Sequence, residues 1–171
     1  HHRIFHRSEG SPMVKKENAI AEMLLECGAI EFGDFTLASG AKSRYYIDIK
    51  SATTRPDILK EIGREITRRH DFDVVAGVEL GAVPIAVAVS LASGKPFAII
   101  RKEEKGHGKK GAIIGDVTGK HVLLVEDVTT SAGSAIYGVR TLRDAGAEVD
   151  SVAVVVDRES GGIEAMNQIG V

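Results

Sequence analysis

The stretch Val122-Leu123-Leu124-Val125-Glu126-Asp127-Val128-Thr129-Thr130-Ser131-Ala132-Gly133-Ser134 decides how this chain is read: four apolar residues, two adjacent carboxylates, then small hydroxyl-bearing and glycine residues. The apolar run predicts a strand over Val122 to Val125. Behind the small residues, Ile136, Val139 and Leu142 recur every three positions and Gly146 supplies a stop, which predicts a helix over Ala135 to Ala145. Strand, tight loop and helix start together make an anion site. The first N–H groups of a helix have no partner within it, the helix end carries partial positive charge, and small side chains let a phosphate reach the backbone. The two carboxylates just ahead add acceptors for the vicinal hydroxyls of a ribose, or for the water shell of a magnesium ion. A general preference for acidic residues near helix starts explains such a pair more plainly, but leaves the hydroxyl-rich loop unexplained.

Outward from this stretch, the same alternation of elements repeats. Ile20, Met23, Leu24 and Cys27 predict a helix over Asn18 to Cys27, ended by Gly28. Tyr45 to Ile49 reads as a strand, and Ile58, Leu59, Ile62 and Ile66 form the stripe of a helix opened by Pro56. Asp73 to Val78 reads as a buried strand. Gly81 and Pro84 mark the entry to an apolar helix ending near Gly94, and Phe97 to Ile100 and Val152 to Val156 complete the strands. Strands that are apolar throughout and alternate with helices predict an α/β fold, a central and mostly parallel sheet flanked by helices on both faces. Ligands of such sheets lie outside the carboxyl ends of the strands, where Glu79-Leu80-Gly81, Arg101-Lys102, Glu126-Asp127 and Asp157-Arg158 all fall. Four strand ends are thus expected to converge on one polar site. Between Lys102 and Lys120 a lysine- and glycine-rich segment predicts a long mobile loop or a frayed hairpin.

Composition narrows the function classes. With 171 residues, 43% hydrophobic and 27% charged, the chain has ordinary globular values and fits one domain. A net charge of -2 supplies no bulk drive toward nucleic acid, the cluster Arg101 to Lys110 being a local basic exception. No apolar run is long enough for a membrane span and no signal-peptide pattern opens the chain, so a soluble, cytoplasmic protein without membrane or nucleic-acid partners is expected. The single cysteine, Cys27, makes no internal disulfide and falls in an apolar helical pattern that predicts a structural role. Residues 1–12, polar and irregular ahead of Met13, read as a leader outside the fold, leaving residues 13–171 as a single domain. No Gly-x-x-x-x-Gly-Lys-Ser/Thr and no Gly-x-Gly-x-x-Gly after a first strand occur, so the phosphate loop is read as a site for a ribose monophosphate.

Val122 to Ser134 resembles the phosphoribosyl diphosphate signature of the type I phosphoribosyltransferases. Three further segments resemble the orotate branch of that family: Phe35-Thr36-Leu37-Ala38-Ser39-Gly40 with Ser43-Arg44-Tyr45-Tyr46-Ile47-Asp48, then Arg101-Lys102-Glu103-Glu104-Lys105-Gly106-His107-Gly108, and Asp157-Arg158-Glu159-Ser160-Gly161-Gly162. The resemblance runs from about Asn18 to Gly162. It implies the type I fold with a small N-terminal hood and a mobile basic loop. It also implies transfer of the 5-phosphoribosyl group from phosphoribosyl diphosphate to orotate, giving orotidine 5′-monophosphate and diphosphate. Mg2+ is the implied cofactor, carried by the diphosphate with no direct protein ligand.

By the same resemblance Arg101, Lys102, Lys105 and His107 contact the diphosphate, Glu126 and Asp127 the ribose hydroxyls, and Val128, Thr129, Thr130, Ser131, Ala132, Gly133 and Ser134 complete the donor site. Lys102, Glu126 and Asp127 are the implied catalytic residues, and Thr130 with Arg158 holds orotate. A homodimer with shared active sites is implied, with Lys102, Lys105 and His107 reaching across. The chemistry suits these residue types. Departure of diphosphate leaves oxocarbenium-like charge on the sugar, so catalysis rests on positioning and electrostatics. A guanidinium such as that of Arg158 binds a carboxylate with two parallel hydrogen bonds. At Glu79 to Pro84, which matches the family's loop under the diphosphate, Gly81 permits backbone geometry that other residues resist. One departure stands out: many members carry lysine where this chain has Ala38, leaving Lys42 or Lys50 as nearby sources of charge. Transfer to another base, or a non-catalytic regulator that binds phosphoribosyl diphosphate, are the competing readings.

Overall fold

Side chains along a strand alternate between faces, and the buried residues of the central strands divide alternately between two core layers. The computed structural model describes residues 2–3, 23–36, 40, 42–102, 111–129 and 133–157. Its strands are β1 (His2–Arg3), β2 (Ile30–Thr36), β3 (Lys42–Ile47), β4 (Val74–Val78), β5 (Phe97–Ile100), β6 (Ile113–Ile114), β7 (Val122–Thr129) and β8 (Val152–Asp157). The helices are α1, described over residues 23–26, α2 (Ile49–Ala52), α3 (Pro56–Arg69), α4 (Val83–Ser93) and α5 (Gly133–Asp144). Val75, Leu123, Val125, Ala153 and Val155 face one layer, with Ile58, Ile62 and Ile66 of α3 and Ile85 and Val89 of α4. Their neighbours Val74, Ala76, Val78, Val122, Leu124, Val152 and Val154 face the other, with Ala135, Val139 and Leu142 of α5. A sheet apolar on both faces needs helices on both, which is the expected α/β architecture.

The main sheet runs β1-β8-β7-β4-β5-β6, parallel throughout except for the antiparallel pair β5–β6. From β4 the chain moves outward to β5, then returns to place β7 on the other side of β4, and continues outward to β8. Strand order therefore reverses between β4 and β7, and a crevice opens at their carboxyl ends. Gly77 pairs with Val125 at that point. A second sheet, the antiparallel pair β2–β3, supplies the N-terminal element outside the main sheet that the resemblance implied as a hood.

Several boundaries differ from those read in the sequence. The strand expected over Tyr45 to Ile49 ends at Ile47, because the Asp48 side chain accepts hydrogen bonds from the Ser51 N–H (3.3 Å) and hydroxyl (2.7 Å) and so caps α2. β2 was not expected; its register shifts between Phe32 and Phe35, which breaks the two-residue period by which strands are recognised. β7 continues four residues past Val125, paired to β8 as far as Thr129 with Asp157, so the carboxylates belong to the strand and not to the loop behind it. Within the basic segment, Ile113–Ile114 forms the return arm of a hairpin on β5. His2–Arg3, part of the presumed leader, pairs with β8.

The remaining elements follow their sequence signals. Pro56 stands at the start of α3, where its missing N–H costs nothing. Gly94 ends α4 in the left-handed conformation, its N–H returning to the Ser90 carbonyl at 2.9 Å. Helices α3 and α4 cross closely because Gly63 has no side chain: a Cβ there would lie 2.6 Å from the Ala88 carbonyl oxygen. That oxygen is backbone and cannot swing aside. Gly63→Ala is expected to lower stability by about 1–3 kcal/mol. Denaturant or thermal unfolding checks this, and an unchanged midpoint would contradict the close crossing.

Candidate active site

At the carboxyl edge, the alternation that sorts the core also divides the two carboxylates. Asp127 shares parity with Leu123 and Val125 and leaves the sheet toward the α3–α4 layer, whereas Glu126 shares parity with Leu124 and leaves it toward α5. The turn between β4 and α4 meets Asp127 there. A Cβ on Gly81 would overlap Asp127 Oδ2 and lie 3.1 Å from Lys50 Cε, so glycine at 81 lets the carboxylate and the lysine stem pack directly against this turn. Lys50 extends from the one-turn helix pinned by Asp48. Of the two lysines considered as replacements for the family lysine at position 38, Lys42 instead donates to Thr36 Oγ1 at 2.8 Å within the β2–β3 hairpin. Lys50 is the cation beside Asp127.

Glu126 is 5% exposed, and its Oε2 has no hydrogen-bond partner among the described residues. Burial pushes its carboxyl up from the ordinary 4.5 to about 8; a hydrogen bond and charge from Asp127 add to the rise, and the Ser134 hydroxyl opposes it. At neutral pH the group is therefore mostly a neutral acid. It ties the end of β7 to the first turn of α5, where Gly133 and Ser134 are exposed.

Arg101 and Lys102 follow β5 with exposed side chains and anchored backbones. The Arg101 N–H donates to the Ala112 carbonyl (2.7 Å), the Tyr137 hydroxyl donates to the Arg101 carbonyl (2.7 Å), and the Glu79 carboxylate accepts the Lys102 N–H. Glu79, Gly81, Arg101, Lys102, Glu126 and Asp127 thus occupy one edge, as the strand-end argument required. Val128 and Thr129 lie in β7. Lys105, His107, Thr130, Ser131, Ala132 and Arg158 lie outside the described residues. Sequence reasoning did not find Tyr137 or the carboxylate of Glu79, since each acts on a residue more than 20 positions away and leaves no local pattern.

A groove of about 390 Å³, lined in part by His70, Asp73, Lys95 and His121, has the volume of a small-molecule site. It lies at the amino ends of β4, β5 and β7, the wrong edge for a ligand of this architecture. His121 there is engaged, its Nε2 2.9 Å from Asp150 Oδ1. Among the described residues no group of three or more His, Cys, Asp or Glu is placed to hold a metal, and no helix is long and apolar enough to cross a membrane.

The phosphoribosyl transferase domain model matches residues 48–167, which span α2 through β8 and hence the whole carboxyl edge. The chain belongs to the phosphoribosyltransferase family. It is 67% identical over 153 residues to the orotate phosphoribosyltransferase of Methanoculleus marisnigri, covering 90% of each chain. Among solved structures, the orotate phosphoribosyltransferase of Mycobacterium tuberculosis in complex with 5-phospho-α-D-ribosyl 1-diphosphate superposes with a TM-score of 0.72 at 37% identity, over 89% of this chain and 91% of that one. The Aeropyrum pernix orotate phosphoribosyltransferase gives 0.76 at 31% identity, over 89% of each.

The raised carboxyl of this phosphoribosyltransferase makes a signed prediction. Between about pH 4.5 and 8 the folded chain keeps the Glu126 proton and the unfolded chain releases it, so this group's contribution to stability falls as pH rises through that window. Glu126→Gln, a neutral near-isostere, is expected to match the parent's unfolding temperature near pH 4 and to gain on it progressively up to pH 8. A difference independent of pH would contradict the buried neutral acid.

Proposed function

We infer that this chain is an orotate phosphoribosyltransferase, joining the 5-phosphoribosyl group of phosphoribosyl diphosphate to orotate with release of diphosphate. Identity of 67% across nine-tenths of the chain to a relative of that name carries the reading. The crevice between β4 and β7, with the Asp127 carboxylate packed against Gly81 at its edge, supports a place for the donor. A different base, or a regulator without turnover, is not favoured: the named relatives from 45% to 67% identity are orotate phosphoribosyltransferases.

In this reading the start of α5 and the loop from Thr129 to Ser134 receive the 5′-phosphate through N–H groups that have no helical partner. Asp127 accepts from the ribose hydroxyls. Glu126, buried and neutral, offers a carbonyl oxygen and an O–H beneath the start of α5 and so braces the helix that receives the phosphate. Arg101 and Lys102, with Lys105 and His107, neutralise charge that grows on the departing diphosphate, which is where electrostatic stabilisation lowers the barrier. Arg158 and Thr130 hold the orotate carboxylate. The half-buried carboxylate of Asp127 at the carboxyl edge is compatible with a hydrated magnesium ion brought in on the donor, its oxygens holding the water shell. Bound there, magnesium would stabilise the leaving diphosphate.

A cytoplasmic homodimer with shared active sites completes the proposal. α4 is apolar on its outer side as well as its inner one, and Leu80 and Leu91 are 75% and 82% exposed. A second copy covering that face would remove both from water.

Loss of orotate absorbance on mixing with phosphoribosyl diphosphate and magnesium tests the function, with adenine, hypoxanthine and uracil as competitors. Turnover of orotate alone is expected; turnover of another base in its place would overturn the assignment. Asp127→Asn and Lys102→Ala should each lower kcat by about 100-fold or more with the fold intact. Wild-type rates would remove those residues from the mechanism.

A further inference from the structure

The carbonyl of Arg101 and the N–H of Lys102 belong to one peptide unit, and both of its polar ends are held by side chains from other elements. Tyr137, on α5, donates its hydroxyl to the carbonyl at 2.7 Å, and Glu79, at the end of β4, accepts the N–H on its carboxylate. The preceding N–H, that of Arg101, is tied to Ala112. No secondary structure requires these contacts: β5 ends at Ile100 and the peptide lies beyond the ladder. A solvent-facing peptide would be satisfied by water at little cost, so two side chains converging on one unit fix its orientation more than they add stability. The hydrogen bond to Glu79 joins a peptide to a carboxylate, the stronger class of such bonds.

We propose that Glu79 and Tyr137 are positioning residues that clamp the Arg101–Lys102 peptide and so aim the two cations. The proposal rests on the reading of Arg101 and Lys102 as diphosphate contacts. Both side chains are exposed and long, and each carries substantial rotamer freedom. Fixing the backbone from which they leave removes part of the ordering cost that would otherwise fall on the transition state. Tyr137 lies one helical turn after Gly133, so the helix whose start is assigned to the 5′-phosphate also holds the root of the leaving-group cations.

The test separates positioning from folding. Tyr137→Phe removes one oxygen and keeps the ring that packs on the α5 layer. Glu79→Ala removes the acceptor, while Glu79→Gln keeps an amide oxygen in its place. Tyr137→Phe and Glu79→Ala are each expected to lower kcat by about tenfold or more, with the KM for orotate and the unfolding temperature near those of the parent. Glu79→Gln should restore most of the loss. In a background carrying both Arg101→Ala and Lys102→Ala neither change should lower kcat further, because both side chains they aim are gone. Parental kcat in both Tyr137→Phe and Glu79→Ala, or losses that simply add to that of the variant lacking both cations, would overturn the clamp. If the parent fails to turn over orotate, or Lys102→Ala is fully active, the underlying reading of the site fails instead.

Discussion

Adjacent residues on a strand leave opposite faces of the sheet, and at Glu126 and Asp127 this constraint sets the layout of the carboxyl edge. Because β7 persists to Thr129, two carboxylates that look equivalent in sequence enter different surroundings. Asp127 emerges on the α3–α4 side, opposite Gly81 and Lys50, at a half-buried position that a ligand can reach. Glu126 emerges under the start of α5, where little water remains. A carboxylate there without a cationic partner is expensive, and the group avoids the expense by holding its proton. One neighbour is left to meet the substrate while the other braces the helix that receives the phosphate.

That division works only because the sheet reverses its order between β4 and β7. At a reversal the connections on either side lead away from each other, so the space above the strand ends stays open. Gly81 lets the Asp127 carboxylate pack closely on one side. On the other, Glu79 and Tyr137 hold the root of Arg101 and Lys102. The site is thus assembled from three neighbouring strand ends, each contributing what the others lack: a carboxylate, a glycine turn that the carboxylate packs against, and a pair of cations.

The α/β architecture was legible because its strands are unbroken apolar runs and its helices carry apolar stripes closed by Gly28, Gly94 and Gly146, all with positive φ. The convergence of strand ends followed from topology alone. Less visible were features that arise from contacts across the chain. The bulge that breaks the period of β2 hid that strand, and the cap at Asp48 turned an expected strand end into a helix. The persistence of β7 is set by pairing with β8 up to Asp157, which no local window of sequence reveals. Lys50 could be listed as a source of charge but not chosen over Lys42 until the hairpin was seen to occupy the latter.

The central claim is that phosphoribosyl diphosphate binds at the carboxyl edge between β4 and β7, where Gly81 lets the Asp127 carboxylate pack against the turn. Calorimetric titration of phosphoribosyl diphosphate with magnesium into Gly81→Ala addresses it most directly, since the added methyl would displace the Asp127 carboxylate and crowd the Lys50 stem. The account predicts affinity weakened by about tenfold or more, equivalent to about 1.4 kcal/mol, with the unfolding temperature nearly unchanged. Parental affinity in a folded Gly81→Ala chain would contradict it.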